Sequence, residues 1–217
     1  MAKELEKGLF ITFEGPEGSG KSTHSRRLCR KLSQEGYDCV HTLEPGSTAL
    51  GEKVREILLK KDEVPLDAET ELFLFEADRA QHVREVIRPA LEKKKIVICD
   101  RFNTATFAYQ GYGLGMDMDL IKRIDNAATG GISPDLTILL DVDVETGLTR
   151  AQAEHPADRM EKRSLGFHRK VREGYLHMAE AHPEKIKVIK VRDDKSQTYK
   201  LIREMIDGLI ERHKRAE

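Results

Sequence analysis

Short apolar runs alternate with long charged, amphipathic stretches along the whole chain. LFITF at 9–13, CVHTL at 39–43, IVICD at 96–100, LTILLDV at 136–142 and IKVIKV at 186–191 have the near-continuous apolar character of strands covered on both faces. Between them, helical spacing predicts helices over 21–35, 49–61, 67–93, 117–129, 144–153, 158–181 and 197–214. Pro89 should kink or restart the third of these, and Asp117 and Ser196 are the expected helix N-caps. This alternation predicts an α/β fold: a three-layer, doubly wound parallel sheet of five strands flanked by helices, with right-handed crossovers. One domain is expected over 1–217. Ligands of such sheets gather at the carboxyl ends of the strands.

Composition narrows the class. The 217 residues are 35 % charged, above the usual quarter, and carry a net charge of −1. No bulk positive field therefore recruits nucleic acid or an anionic membrane. No apolar run approaches the roughly 18 residues of a spanning helix, and the start, MAKELEKGLF, lacks the apolar core of a signal peptide. Cys29, Cys39 and Cys99 form no CxxC pair, so reduced core cysteines in a cytoplasmic protein are expected rather than a disulfide framework or a zinc site.

The chemistry starts directly after the first apolar run. Gly15-Pro16-Glu17-Gly18-Ser19-Gly20-Lys21-Ser22 fits GxxxxGK[ST] and opens a helix with Thr23 in its first turn, the strand–loop–helix context this motif requires. Its glycines let backbone N–H groups turn inward around phosphate oxygens, and the helix N-terminus adds positive potential. Lys21 can reach the outer phosphates of a nucleotide, and the Ser22 hydroxyl can ligate Mg²⁺.

A second strand end, IVICDR, sets Asp100 and Arg101 side by side. Alone, such a pair would be a strand-end salt bridge. Beside a phosphate loop, Asp100 is a candidate to hold Mg²⁺ through water, and Arg101 offers a planar fork to a second phosphate. Arg55 and Arg79 lie on helices at the same predicted sheet edge, where a solvated helix face is the alternative. Phe75 and Arg79 are four apart and share a helix face, which suits a flat base as well as it suits core packing. Phe73 reads as core. Leu72, Phe73, Leu74, Phe75 and Ala77 together make that helix apolar enough to face both a core and a partner.

Taken in order from about Leu9 to Tyr175, these segments resemble the thymidylate kinase family. FEGPEGSGKST is similar to its phosphate loop and EPGST at 44–48 to its Glu-Pro-Gly segment. FEADRAQH at 75–82 resembles its base-binding helix, and DRFNTATFAYQG at 100–111 its Asp-Arg segment. PDLTILLDV and DRMEKRSLGFHRKVREGY resemble its last core strand and the helix after the lid. The resemblance implies conversion of dTMP to dTDP with ATP and Mg²⁺, in a homodimer. It implies that Phe75 stacks on thymine, that Arg79 bonds the base's carbonyl edge, and that Thr106 sits near the base with Gln110 at the base-site wall. It further implies that Arg101 and Arg55 hold the acceptor phosphate, that Glu17 contacts the sugar 3′-hydroxyl, and that Tyr109 crowds the 2′ position. Glu44, in the Glu-Pro-Gly segment, is a substrate-site residue on the same basis.

Two departures from that family stand out. Leu43 and Ser47 replace an Arg and a Gly around Glu-Pro-Gly, and Gln152 and Glu154 stand where lid arginines often occur. Arg150 is therefore the candidate for the arginine that bridges donor and acceptor phosphates, with Arg159 second. A lid is expected over about 144–160, against the alternative of an ordinary surface helix and loop. Other readings are a kinase of another nucleoside monophosphate, or a deoxynucleoside kinase with Glu44 as general base. A GTP switch would need an Asn-Lys-x-Asp segment that this chain does not contain. The basic stretch His213-Lys214-Arg215 reads as the solvated end of the last helix.

Overall fold

The computed structural model describes residues 3–59, 65–154 and 156–214. Five parallel strands, β1 (Leu9–Glu14), β2 (Cys39–Leu43), β3 (Ile96–Asp100), β4 (Leu136–Asp141) and β5 (Ile186–Lys190), form one sheet in the order β2-β3-β1-β4-β5. The first strand sits at the centre and the order reverses across it, which puts a crevice at the carboxyl ends of β1, β3 and β4.

Period-two alternation divides the central strands between two faces. Ile11, Ile98 and Ile138 point to one side, where they meet Leu28 and Leu32 of α1 (Lys21–Gln34) and Ile202 and Ile206 of α9 (Lys195–Glu211). Phe10, Val97 and Cys99 point to the other, against Val83, Ile87 and Phe102. Further along that side, Leu139 packs with Tyr109, and with Phe167, Val171 and Tyr175 of α8 (Leu165–Ala181).

All five strands expected from the sequence are present, but two are less covered than expected. β2 is half-buried, and Lys187, Val188 and Lys190 of β5 are exposed, because these are the sheet's edges. The long helix expected over 67–93 is three pieces: α3 (Ala68–His82), a π-helical turn (Val83–Ile87) and α4 (Arg88–Glu92). Pro89 restarts it. The ring has no N–H to donate and would crowd the carbonyl of Glu85, so the backbone widens into a π turn before it.

Several boundaries differ from expectation. The helix expected to begin at 158 begins at Leu165, capped by Ser164, whose hydroxyl accepts from the Phe167 amide. Residues 103–113, assigned no element from the sequence, are helical: α5 (Asn103–Thr106) runs into a second π-helical stretch (Phe107–Gly113). Between it and β4 lies α6 (Met118–Thr129), capped as expected by Asp117, which accepts from the Asp119 amide at 2.9 Å. At α9 the cap is Asp194 rather than Ser196: it accepts from the Ser196 amide at 2.8 Å. Both side chains can cap, and the turn after β5 brings Asp194 into place first.

Phe73 is not core. It is 56 % exposed, because α3 buries Leu72, Glu76 and Arg79 on its inward stripe. Residues 212–214 after α9 are not helical: the amide of Glu6 donates to the His213 carbonyl at 3.0 Å. Residues 60 and 61 of the second predicted helix, here α2 (Ala49–Leu59), lie outside the described residues, as do His155 of the expected lid and Arg215. Among the described residues, no helix is long and apolar enough to cross a membrane.

Candidate active site

Gly15, Gly18 and Gly20 all adopt positive φ, and this curls the loop between β1 and α1 into a cradle. Two of them also admit neighbours that a side chain would block. A Cβ on Gly15 would lie 2.3 Å from the Leu140 carbonyl, and one on Gly18 would lie 2.0 Å from that of Gly147. Gly147 belongs to α7 (Val144–Glu154), so the loop is pinned both to the end of β4 and to the following helix. Within the segment expected as a lid, Val144, Gly147, Leu148 and Ala151 are buried.

Lys21 folds back over the cradle. Its ammonium donates to the carbonyls of Gly15 and Pro16 at 2.9 and 2.7 Å and to the Ser19 hydroxyl at 3.2 Å. Burial pulls its pKa down to about 8, and Arg101 adds to that while Glu17, Asp100 and Glu14 oppose it. The Ser22 hydroxyl donates to Asp100 Oδ2, so the first turn of α1 and the end of β3 share one oxygen cluster.

Arg101 follows with φ 68°, a left-handed conformation costly for a residue with a side chain. Three bonds over-determine it. Its own amide donates to Phe13 O at 2.9 Å, the next amide, of Phe102, donates to Glu14 Oε1 at 2.8 Å, and its Nη2 donates to Glu17 Oε2 at 2.8 Å. Tyr175 closes this group: its hydroxyl donates to Glu14 Oε2 at 2.9 Å and receives Arg101 Nη1 at 3.4 Å. Burial raises the Glu14 carboxyl to about 7, more than Arg101 and its hydrogen bonds can offset. For Glu17 the balance runs the other way. Burial raises it, but Arg101, Lys21 and the Tyr109 hydroxyl together bring it to about 2.

A cavity of about 570 Å³ runs from this cradle along the strand ends. Its wall is formed by the loop from Glu17 to Thr23 with Asp100 and Arg101, by Phe75, Thr106, Tyr109 and Gln110, and by Glu44 and Arg55. Arg150 reaches the rim, 38 % exposed, and donates to Asp193 at 3.1 Å.

Four expected site residues are absent from the wall: Gly15 and Pro16, whose carbonyls accept from Lys21, and Arg79 and Arg159. Arg79 is not in the cavity wall. It is buried behind it, where Nε donates to Glu44 Oε2 at 2.9 Å and Nη1 to Glu76, to Thr106 Oγ1 at 3.0 Å and to Asp125 at 3.4 Å. Arg159 is also absent from the wall and turns to the Leu66 carbonyl at 3.4 Å. Glu44 is braced at both oxygens, one accepting from Arg79 Nε at 2.9 Å and the other meeting His82 Nδ1 at 2.8 Å.

Sequence reasoning missed Glu14, Glu71, Arg163 and Tyr175. Glu14 could have been found, because a carboxylate that ends an otherwise apolar strand next to a phosphate loop is itself a signal. The others are joined only through long-range contacts.

The central-strand crevice, the glycine cradle with its lysine, and the arginine held across from it define a P-loop phosphotransferase. The thymidylate kinase family model matches residues 13–205. A thymidylate kinase of Ectopseudomonas mendocina (strain ymp) is 46 % identical over 203 residues, covering 94 % of this chain and 95 % of that protein. One of an Exiguobacterium species is 46 % identical over 206 residues, with 94 % and 95 % covered. The crystal structure of thymidylate kinase from Ehrlichia chaffeensis superposes with a TM-score of 0.75 at 35 % identity, covering 92 % of this chain and 99 % of that one. The chain belongs to the thymidylate kinase family, whose members phosphorylate dTMP to dTDP.

Proposed function

We propose that this chain transfers the γ-phosphoryl group of ATP to dTMP, with ATP on the loop from Gly15 to Thr23 and dTMP at the Phe75–Gln110 end of the same cavity. The observation that carries the reading is that one cavity is lined both by the phosphate loop and by the aromatic group of Phe75 and Tyr109, with Arg101 in the same wall. An acceptor phosphate held by Arg101 and Arg55 lies between the two ends.

Phosphoryl transfer asks the protein for positioning and charge stabilisation. An acceptor phosphate oxygen is already an anionic nucleophile, so no general base is required. The new bond joins that oxygen to the γ-phosphorus as the bond to the β-phosphate oxygen breaks and ADP leaves. Lys21, Arg101 and Arg150 share the equatorial charge. Phe75 stacks on the base, and Thr106 meets its edge while its own oxygen is held by Arg79, so Arg79 acts through Thr106. Glu17 takes the sugar 3′-hydroxyl, and the Tyr109 ring crowds the 2′ position.

Ser22 and Asp100 fit Mg²⁺. They place a hydroxyl and a carboxylate oxygen together beside the cradle, the hard-oxygen donor set this cation takes alongside substrate phosphates. Bound there, the cation would neutralise charge between the outer phosphates. A homodimer is the matching assembly, supported by the apolar side chains that α2 and α3 leave exposed, Leu50, Ile57 and Phe73. The free thiols of Cys29, Cys39 and Cys99 suit a reducing cytoplasm.

The test is diphosphate formation with ATP and Mg²⁺ against dTMP, dUMP, dCMP, dGMP, dAMP, TMP and thymidine. Rapid dTDP formation, slower dUMP turnover and no reaction with thymidine are expected. A preference for thymidine would overturn the assignment of an already phosphorylated acceptor.

A further inference from the structure

Glu71 lies on α3, one turn before Phe75, and is 1 % exposed. Its two oxygens join parts of the chain that are distant in sequence. Oε1 accepts from Gln110 Nε2 at 2.9 Å, and Oε2 accepts from Arg163 Nη2 at 2.6 Å. Arg163 belongs to the turn over 156–164 that leads into α8, and its guanidinium lies over the Phe167 ring at 4.9 Å. That ring meets Tyr109 edge-on at 6.0 Å. Met160 and Glu161 of the same turn face the cavity. One buried carboxylate thus ties a turn that walls the cavity to a side chain of the base pocket.

The chemistry of this contact fixes an orientation. A carboxylate paired with a guanidinium only accepts hydrogen bonds, so the end of the Gln110 amide that faces it is the NH₂. The Gln110 carbonyl oxygen is then the atom left for the cavity. We infer that Glu71 is a positioning residue, and that the Glu71–Arg163 ion pair holds Gln110 carbonyl-first toward the acceptor base while seating the 156–164 turn. A carbonyl there complements a pyrimidine whose ring N3 carries hydrogen and opposes one whose N3 is a bare acceptor. The pair therefore favours thymine over cytosine without touching either. This inference rests on the proposed place of Gln110 in the base-site wall.

The experiment is steady-state kinetics of the full chain with ATP and either dTMP or dCMP. Arg163→Met is the principal variant, with Tm followed in parallel because it leaves the buried Glu71 carboxylate without its guanidinium, although Arg163 itself is 26 % exposed. Loss of one charge-assisted contact should raise KM for dTMP about tenfold and narrow the dTMP over dCMP ratio of kcat/KM by a similar factor. KM for ATP should stay unchanged. Arg163→Lys should restore most of the effect, and Gln110→Ala added to Arg163→Met should cost less than Gln110→Ala alone. If folded Arg163→Met keeps both the KM for dTMP and the ratio while Gln110→Ala changes them, the positioning role is overturned. Equal losses toward ATP and dTMP, tracking a fall in Tm, would also overturn it, in favour of a purely structural pin. If Gln110→Ala itself leaves dTMP kinetics unchanged, the base-wall reading falls and this inference with it.

Discussion

The Tyr109 hydroxyl donates to Glu17 Oε1 at 2.5 Å, while the same carboxylate's other oxygen receives Arg101 Nη2. The Arg101 guanidinium also lies over the Tyr109 ring, 5.1 Å from its centroid. The three side chains therefore hold one another, and Tyr109 has two separable functions: a hydroxyl that orients Glu17 and a ring that occupies space.

Tyr109→Phe should separate them. The ring stays, so the preference for dTMP over the ribonucleotide should be retained, while turnover falls about tenfold because Glu17 loses a buried donor. Tyr109→Gly should instead raise turnover of the ribonucleotide relative to dTMP. Paired kcat/KM values for the two acceptors decide it, and an unchanged ratio in Tyr109→Gly would remove the ring from sugar discrimination.

Gly147→Ala is a test of how the cradle is braced. Its Cβ would lie 2.3 Å from the Glu17 carbonyl, and a backbone atom cannot swing aside as a side chain can. The loop or α7 must shift, so KM for ATP should rise at least about tenfold and Tm should fall by several degrees. Wild-type KM for ATP in this variant would show that the contact is not needed for nucleotide binding.

Much of this arrangement was legible in the sequence, and the reasons differ by element. Strand cores and the glycine loop are local signals, encoded within a few consecutive residues. The helix over 103–113 is not: TATFAYQG has β-branched and aromatic residues with a glycine, a composition that favours helix weakly, and tertiary packing of Tyr109 against Phe167 and Tyr175 decides it. Glu71 and Arg163 are 92 positions apart, and no spacing rule pairs them. Arg79 was legible as a residue but not in its surroundings, since the carboxylates that bury it come from α3, α6 and the end of β2.

The buried carboxylates also set a pH dependence. Burial raises Glu76 to about 7, against the pull of Arg79, and Asp78 to about 6, reinforced by Glu44. Groups with raised folded pKa values contribute stability that is fully present below their unfolded values and is lost as pH rises through the folded ones. Glu14, at about 7, acts in the same direction, whereas Glu17, at about 2, stabilises only above its unfolded value. Tm should therefore fall between about pH 5 and pH 8, with His24, which burial lowers to about 4, opposing the fall up to its ordinary value of 6.5. Glu76→Gln should flatten the fall, removing on the order of 2–3 kcal/mol of it. A full slope in Glu76→Gln, followed by calorimetry across that window, would assign the titration to other groups.

Arg150 is the remaining decision in the transfer step. Its partner in this structure is Asp193, fully exposed, and a surface ion pair of this kind is weakened by solvent and salt, so little holds the guanidinium away from an incoming phosphate. Arg150→Ala should lower kcat by at least about a hundredfold with a modest change in KM, the pattern of a contact made only in the transition state. Arg159 provides the contrast. Its side chain turns away from the cavity to the Leu66 carbonyl at 3.4 Å, so Arg159→Ala should leave kcat nearly unchanged. Single-turnover rates with saturating ATP and dTMP compare the two directly. Near wild-type turnover in Arg150→Ala, with a large loss in Arg159→Ala, would transfer the bridging role to Arg159 and require the 156–164 turn to reorganise on substrate binding.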